Sequence, residues 1–219
     1  MLFVFDWDGT LCNSLDKIVR CLQEAANLAN LEDLSAAEAK SVIGLALPEA
    51  IQQLLPDEDI STRAQVADFY RDAFNRDTSQ PQLFDGAKET LLELKERGYR
   101  LAVATGKSRA GLDRGLYETG LQNFFCATRC ADETASKPNP KMLLELLAEL
   151  NMCHTRAVMV GDTTFDLAMA NAAGMRGIGV SFGSHSVAEL NQHRPAVIID
   201  HIKELLGWQI EPAAANKTQ

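Results

Sequence analysis

The apolar residues of this chain recur with two different periods. From about residue 14 to about residue 84 they keep helical spacing, which predicts a block of four helices. Outside this block, short apolar runs alternate with amphipathic stretches, which predicts strands separated by helices. The runs predicted as strands are residues 2–5, 99–104, 124–127, 157–160, 177–182 and 197–199.

This alternation indicates a parallel sheet with helices on both faces, the doubly wound α/β architecture. Residues 1–13 and 85–210 are therefore predicted to form one core domain, and residues 14–84 an all-helical domain inserted into it. The polar tail, residues 211–219, is predicted to be disordered because it cannot bury enough apolar surface to become ordered.

The composition narrows the classes of protein to which the chain can belong. Hydrophobic residues make up 46% and charged residues 23%, and no apolar run is long enough to cross a bilayer, so no membrane partner is expected. The formal net charge of −9 repels nucleic acid phosphates, so no nucleic-acid partner is expected either. No basic region precedes the first apolar run, so we expect a cytoplasmic protein without a cleaved secretory signal.

Five cysteines are scattered along the chain, and only Cys126 and Cys130 lie close together in sequence. Reduced thiols are the favoured interpretation, in keeping with a cytoplasmic protein. A zinc site that combines these two residues with Cys153 and His154 is the alternative, although its spacing matches no standard zinc pattern.

Acidic and polar residues follow several predicted strands at the points where those strands end. Ligands bind at the carboxyl ends of the strands in open α/β sheets, so these residues are candidates for a single site. The candidates are Asp6 and Asp8 in Asp-x-Asp-Gly-Thr, Thr105 in Thr-Gly-Lys, Lys137 in Lys-Pro-x-Pro, and Asp162 and Asp166 in Gly-Asp-x-x-x-Asp.

Asp6 and Asp8 would point to the same side of the backbone if strand pairing continued through Asp8. Two adjacent carboxylates at the rim of an apolar sheet are costly unless a cation lies between them or one is protonated. The whole set of candidates fits a magnesium ion and a phosphoryl group. Each residue alone has a local alternative, such as a turn signal or a helix N-cap, and only their joint order favours catalysis.

Taken in this order, the four motifs resemble those of the haloacid dehalogenase superfamily. The likeness covers almost the whole chain and is strongest to phosphoglycolate phosphatase and related capped small-molecule phosphatases. It implies a Rossmann-like core with a helical cap. The second acid, Asp8, implies phosphoryl transfer, because the dehalogenases lack it and have no alkoxide to protonate.

The resemblance also implies a role for each motif residue. Asp6 would be the nucleophile that forms an aspartyl-phosphate, and Asp8 would protonate the leaving alcohol and later activate water. Thr105 would hydrogen-bond the phosphoryl oxygens, and Lys137 would neutralise charge there. The other residues expected to bind the substrate are Gly9, Thr10, Gly106 and Lys107.

Magnesium is the implied cofactor, since hard oxygen ligands without clustered histidines favour it over zinc. Its ligands would be Asp6, the backbone carbonyl of Asp8, Asp162 and Asp166. The cap would close over the site and exclude water. We expect hinges near residues 12–15 and 84–86 and a substrate-facing loop at residues 44–47.

These implications make a magnesium-dependent phosphatase acting on a small phosphorylated metabolite the leading hypothesis, with phosphoglycolate as the best single candidate. A phosphosugar mutase and an inorganic pyrophosphatase share all four motifs and stay open as alternatives. A phosphate-binding regulatory protein is a non-catalytic alternative, although it would not need both Asp6 and Asp8. The protein is expected to be a monomer or a homodimer.

Overall fold

Six strands form one all-parallel sheet in this computed structural model, which describes residues 1–31 and 33–208. The strands are β1 (Leu2–Phe5), β2 (Arg100–Thr105), β3 (Ala127–Cys130), β4 (Ala157–Gly161), β5 (Arg176–Val180) and β6 (Val197–Ile199). Their order across the sheet is β3-β2-β1-β4-β5-β6, so the direction of winding reverses between β1 and β4. The predicted doubly wound parallel sheet is confirmed, and ligands of such sheets bind at this reversal.

Nine α-helices lie within the described part of the chain. They are α1 (Leu15–Leu28), α2 (Ala36–Ser41), α3 (Leu47–Leu54), α4 (Ile60–Arg76), α5 (Ala87–Glu96), α6 (Arg109–Thr119), α7 (Lys141–Glu149), α8 (Thr164–Ala172) and α9 (Val187–Asn191). Short 3₁₀ helices cover His154–Arg156 and Ile202–Leu206. At α2, Ser35 and Glu38 form the capping box that their spacing predicts.

Both faces of the sheet are buried. Phe3 and Phe5 of β1 pack on one face together with apolar residues of α5 and α6. Leu2 and Val4 point to the opposite face, where α7 and α8 cover them. A strand buried on both faces must be apolar at every position, which explains the unbroken apolar run of β1.

The helices α1 to α4 lie outside the sheet, and we refer to them as the helical insertion. They have apolar clusters of their own, and α1 packs along α4. The chain segments that enter and leave the insertion pair with each other. The N–H of Asn13 donates to the carbonyl of Gln82 at 2.7 Å, and the N–H of Phe84 donates to the carbonyl of Leu11 at 3.0 Å. The predicted domain boundaries remain predictions, and two adjacent segments connect the insertion to the sheet.

Two elements differ from the prediction. β3 begins three residues later than the predicted run 124–127, because Phe124 and Phe125 pack against the apolar core ahead of the strand. The paired residues include Thr128 and Arg129, so this edge strand lacks an apolar run. The helix α9 is absent from the predicted elements, although Ser186 and the residue three positions later form a capping box.

None of the described helices has the length and apolar character needed to cross a membrane. The segment expected to be disordered, residues 211–219, lies outside the described residues. The apolar pattern after β6 predicts a helix that ends near Leu206, and the structure has a 3₁₀ helix there, Ile202–Leu206.

Candidate active site

Several predicted site residues come together at the carboxyl edge of the sheet. Asp6 directly follows β1, Thr105 ends β2, and Asp162 directly follows β4. The N–H of Asp6 donates to the carbonyl of Val160 at 2.9 Å, which ties the residue to the neighbouring strand. All three polar side chains are buried. The parallel sheet thus gathers residues that lie far apart in sequence.

Four buried charged side chains, Asp6, Lys137, Asp162 and Asp166, form what we call the carboxylate cluster. One carboxylate oxygen from each aspartate lies within 4.8 Å of the other two. The Nζ of Lys137 lies 2.7 Å from Oδ1 of Asp6 and 2.7 Å from Oδ1 of Asp166. Three carboxylates with one ammonium leave an excess of buried negative charge, which is costly without a further cation.

Burial and mutual repulsion shift the protonation equilibria within the cluster. Burial raises the pKa of Asp6 well above its usual range, Lys137 opposes this rise, and the neighbouring aspartates add to it. Burial also raises the pKa of Asp162 to about 7, with repulsion from Asp166 as the next cause. For Lys137, burial lowers the pKa, but Asp166 and Asp6 outweigh it and the net pKa is raised. A bound cation would favour the ionised carboxylates.

Asp162 is held by two hydrogen bonds and enclosed by two glycines. The hydroxyl of Thr10 donates to Oδ1 of Asp162 at 2.8 Å, and the N–H of Ser184 donates to Oδ2 at 2.8 Å. A β-carbon at Gly9 or at Gly183 would overlap the Asp162 side chain. Gly9 also has a φ of +82°, which favours glycine. The aspartate therefore has one defined orientation.

Asp166 serves both its helix and the cluster. The N–H and the hydroxyl of Thr163 donate to Oδ2 of Asp166 at 3.1 and 2.7 Å, and the Thr163 oxygen accepts from the N–H of Asp166. This is a capping box at the start of α8. The other carboxylate oxygen of Asp166 is thereby directed to Lys137. Asp166 can therefore cap α8 with one carboxylate oxygen and contact Lys137 of the cluster with the other.

The donor set of the carboxylate cluster fits a magnesium ion. The Oδ2 atom of Asp6 is buried and has no hydrogen-bond partner. Carboxylate oxygens are the ligands that magnesium prefers. Among the described residues, the three aspartates are the one set that offers three close ligand atoms, and the cysteines of the alternative zinc site form no such set.

Asp8 lies apart from the carboxylate cluster, although only one residue separates it from Asp6. β1 ends before Asp6, so strand pairing does not continue through Asp8. The Nζ of Lys107 lies 2.9 and 3.0 Å from the two carboxylate oxygens of Asp8, and the Ser14 hydroxyl also donates to it. The ring of Phe74 covers the same ammonium, with its centroid 4.9 Å from Nζ. Asp8 is therefore in an ion pair beside the helical insertion.

A cavity of about 500 Å³ lies between the carboxyl edge of the sheet and the helical insertion. Polar residues line it on the sheet side, and mostly apolar residues line it on the insertion side. The sheet side presents Asp6, Asp8, Thr105, Gly106 and Lys107. The insertion side includes Ile18, Leu22, Val42, Tyr70 and Phe74.

The loop at residues 44–47 lies directly on the sheet edge. A side chain at Gly106 would overlap the carbonyls of Gly44 and Leu45. The N–H of Ala46 donates to the hydroxyl of Ser136 at 2.9 Å, immediately before the lysine of the cluster. Leu45 lines the cavity and also packs against the apolar core of the insertion.

The four residues predicted to bind the substrate separate into two pairs. Gly106 and Lys107 line the cavity. Gly9 and Thr10 are not among its lining residues and contact Asp162 instead. Gly9 and Thr10 thus lie against the cluster, and the contacts of all four residues with substrate remain predictions.

Other residues at the site carry no motif signal and were not predicted from the sequence. Ser14 and Ser184 bind carboxylates of the site, and an isolated serine near a turn is too common to indicate such a role. Tyr70 and Phe74 line the cavity but appear in the sequence only as apolar positions of a helix. In contrast, the spacing of Thr163 and the acid three residues later is a recognisable capping signal.

The model of the haloacid dehalogenase-like hydrolase family matches residues 3–180. The chain belongs to this family. The match extends from β1 to β5 and contains the whole carboxylate cluster. The resemblance inferred from the four motifs is thereby confirmed.

Individual relatives align with nearly the whole chain. Probable phosphatase IndB of Dickeya dadantii is 37% identical over 94% of this chain and 92% of its own. Pyrophosphatase PpaX of Bacillus pumilus is 29% identical over 93% of each chain, and phosphoglycolate phosphatase of Vibrio vulnificus is 26% identical over 94% of each. A crystal structure of a haloacid dehalogenase-like hydrolase from Bacteroides fragilis has a TM-score of 0.87 at 25% identity, covering 93% of this chain and 98% of that one. The predicted enzyme class, a phosphatase hydrolase, is confirmed.

Proposed function

We propose that this hydrolase is a magnesium-dependent phosphatase that cleaves a small phosphorylated metabolite through an aspartyl-phosphate at Asp6. One observation carries the proposal. Asp6 belongs to the buried carboxylate cluster and also lines the cavity. A carboxylate nucleophile needs both an environment that orients it and open space in which the phosphoryl group can approach.

The contacts of Asp6 support its role as nucleophile. Lys137 binds Oδ1 and orients the carboxylate, which leaves Oδ2 without a hydrogen-bond partner. Attack on phosphorus by Asp6 expels the alcohol, and water then hydrolyses the acyl phosphate. The Thr105 oxygen accepts a hydrogen bond from the N–H of Lys107 at 3.2 Å, so its own proton is available to a phosphoryl oxygen.

Asp8 is the proposed acid and base of the two steps. It lines the same cavity as Asp6, and Lys107 and Ser14 hold its carboxylate at the cavity wall. As a carboxylate, Asp8 takes a proton from water in the second step. In the first step, the protonated form donates to the departing alcohol oxygen.

When bound, magnesium stabilises negative charge on the phosphoryl oxygens as a Lewis acid. We propose that Asp6, Asp162 and Asp166 hold it, together with the backbone carbonyl of Asp8. The hydrogen bonds from Thr10 and Ser184 keep the oxygens of Asp162 in place for this role.

We further propose that the helical insertion is a cap that closes over the cavity. Its 44–47 loop lies against the sheet edge, and Ser184 donates to the carbonyl of Lys40 at 2.8 Å. A cap in this position excludes water from the phosphoryl group and brings its own side chains to the leaving group.

The test is phosphate release from a panel of phosphomonoesters with magnesium, for the wild type beside Asp6→Asn. The panel contains phosphoglycolate, the best candidate from the family resemblance, together with pyrophosphate and phosphosugars. We expect Asp6→Asn to lower kcat/KM by about a thousandfold or more. The matched control is Asp113→Asn, because Asp113 is exposed on α6 and does not line the cavity.

Other outcomes distinguish the alternatives. Turnover of pyrophosphate alone would indicate the inorganic pyrophosphatase, and isomerisation of a phosphosugar without free phosphate would indicate the mutase. Equal activity of wild type and Asp6→Asn would remove Asp6 from its proposed role. Absence of phosphate release from every compound would contradict the phosphatase proposal.

A further inference from the structure

The volume of the cavity bears on the class of substrate. At about 500 Å³ it lies within the size range of pockets that hold drug-sized ligands. A leaving group of two carbon atoms, such as glycolate, would fill a small part of this space. The remaining water would lie against apolar side chains, from which a larger apolar leaving group would displace it favourably.

The wall that the helical insertion contributes is apolar and fixed by packing. Ile18, Leu22 and Val42 belong to the buried core of the insertion, and Tyr70 and Phe74 pack against the same core. All five also line the cavity. The shape of the wall is therefore set by helix packing and is present before a substrate binds.

Of the three described cations that line the cavity, two are paired with carboxylates. Lys107 is paired with Asp8, and Arg71 is paired with Asp68 at 2.7 Å. Arg71 and Arg114 are exposed, and Arg114 donates to the amide oxygen of Asn75 at 3.1 Å. A second anionic group close to the phosphoryl group would meet a lysine whose charge Asp8 already compensates.

Tyr70 places a polar group in this apolar wall. Its hydroxyl makes no hydrogen bond to any described residue, and it is not one of the fully buried polar atoms that lack a partner. Tyr70 is half-buried and lines the cavity, and burial raises the pKa of its phenol. Its polarity is satisfied best if a ligand supplies the partner.

We infer that the preferred substrate is the phosphate monoester of an uncharged, mainly apolar alcohol about as large as one that carries an aromatic ring. The Tyr70 hydroxyl hydrogen-bonds a polar group of this alcohol. This inference rests on the proposed phosphatase function and sharpens it. Glycolate and inorganic phosphate then fit this cavity poorly as leaving groups, because neither is large enough to contact the apolar wall.

The first test compares esters of primary alcohols, whose leaving groups have similar chemical reactivity. With magnesium and the wild type, kcat/KM for phenethyl phosphate should exceed the values for ethyl phosphate and phosphoglycolate by about tenfold or more. Equal or faster turnover of ethyl phosphate, phosphoglycolate or pyrophosphate would overturn the inference and leave the phosphatase function intact. Absence of turnover of every compound would overturn both.

The second test addresses Tyr70 with matched substrates. For Tyr70→Phe, the KM for at least one ring-hydroxylated isomer of phenethyl phosphate should rise about threefold to tenfold, the effect of one hydrogen bond. The KM for phenethyl phosphate itself should change by a clearly smaller factor. Tyr117→Phe is the control, because Tyr117 is 73% exposed on α6. An equal change for all esters, or no change for any, would remove Tyr70 from this role.

A third variant tests the volume directly. Ala110 is exposed on α6 and lines the cavity, so Ala110→Trp should reduce the preference for phenethyl over ethyl phosphate by about fivefold or more. Ala148→Trp, at an exposed position of α7 outside the cavity, is the matched control. An unchanged preference in Ala110→Trp would show that the bulk of the alcohol does not occupy the cavity.

Discussion

The carboxylate cluster and the apolar wall enclose the same cavity but are built in different ways. In the cluster, each charged group has a named polar partner or a close glycine, as Asp162 has Thr10, Ser184 and Gly183. In the wall, residues such as Leu22 serve the packing of the insertion and present only part of their surface to the cavity. Substitution of a buried charged residue is strongly destabilising, whereas apolar residues can be exchanged for others of similar volume without loss of the fold. The reaction and the choice of substrate thus depend on different interactions.

The largest effect on stability and activity should come from removal of the buried ammonium of Lys137. In Lys137→Met three carboxylates stay buried without its charge, so the free energy of unfolding should fall by about 3–5 kcal/mol. Phosphate release should fall by about a hundredfold or more. Urea unfolding and the phosphate assay measure the two effects. Lys141→Met is the control, because that side chain is 59% exposed, and a Lys137→Met protein as stable as the control would contradict the prediction.

The pH dependence of stability should also distinguish the two regions, because the carboxyl groups with raised pKa values belong to the cluster. The folded pKa of Asp162 is about 7, above its ordinary value near 4, so the native state binds more protons between these two values. The stability of the metal-free protein should therefore fall as the pH rises from about 4 to about 7, on the order of a few kcal/mol. Magnesium binds the ionised carboxylates, so its stabilising effect should grow over the same range.

Thermal unfolding between these pH values, with EDTA and with magnesium, measures both effects. Asp162→Asn removes one of the two carboxyl groups whose pKa is raised and should make the metal-free curve less steep. A wild-type curve without any fall would show that the carboxylates are not protonated in the folded protein. A magnesium effect equal at both ends of the range would argue against binding at this cluster.

Substitution of Gly183, which lies against Asp162, measures how tightly the cluster is packed. A β-carbon at Gly183 would overlap Asp162, so Gly183→Ala should lower the free energy of unfolding by about 1–3 kcal/mol and weaken magnesium binding. Gly207→Ala is the control, since its nearest neighbour, the carbonyl of Glu204, would lie 3.6 Å away. Chemical unfolding and magnesium titration check the result, and equal effects of both substitutions would count against the close contact.

The smallest expected effect concerns Phe74, which belongs to the wall and also covers Lys107. Removing the ring in Phe74→Leu forfeits a cation–π contact worth about 0.5–2 kcal/mol and loosens the ammonium that holds Asp8. We expect kcat for ethyl phosphate to fall about twofold to tenfold, since this small ester does not need the wall. Phe69→Leu on the same helix is the control outside this cavity, and an equal loss there would assign the effect to packing.

The sheet and the chemical groups of the cluster could be predicted from the residue pattern alone. The apolar run of β1 can be satisfied only by burial on both faces, and the alternation of strands and helices leaves a parallel sheet as the simplest solution. Parallel strands share one carboxyl edge, so Asp6 and Asp162 could be predicted to meet there, and the structure brings them together. Their roles as nucleophile and metal ligand, with those of Lys137 and Asp166, remain predictions to test.

The tertiary structure alone decided what surrounds these groups. Asp8 pairs with Lys107 because the chain turns after β1, and Thr10 binds Asp162 because the two loops pack together. The cavity wall could not be predicted for another reason. Helical periodicity marks Tyr70 as apolar-facing, but a core and a cavity require the same apolar character, and only the packing of distant helices shows which surface stays open.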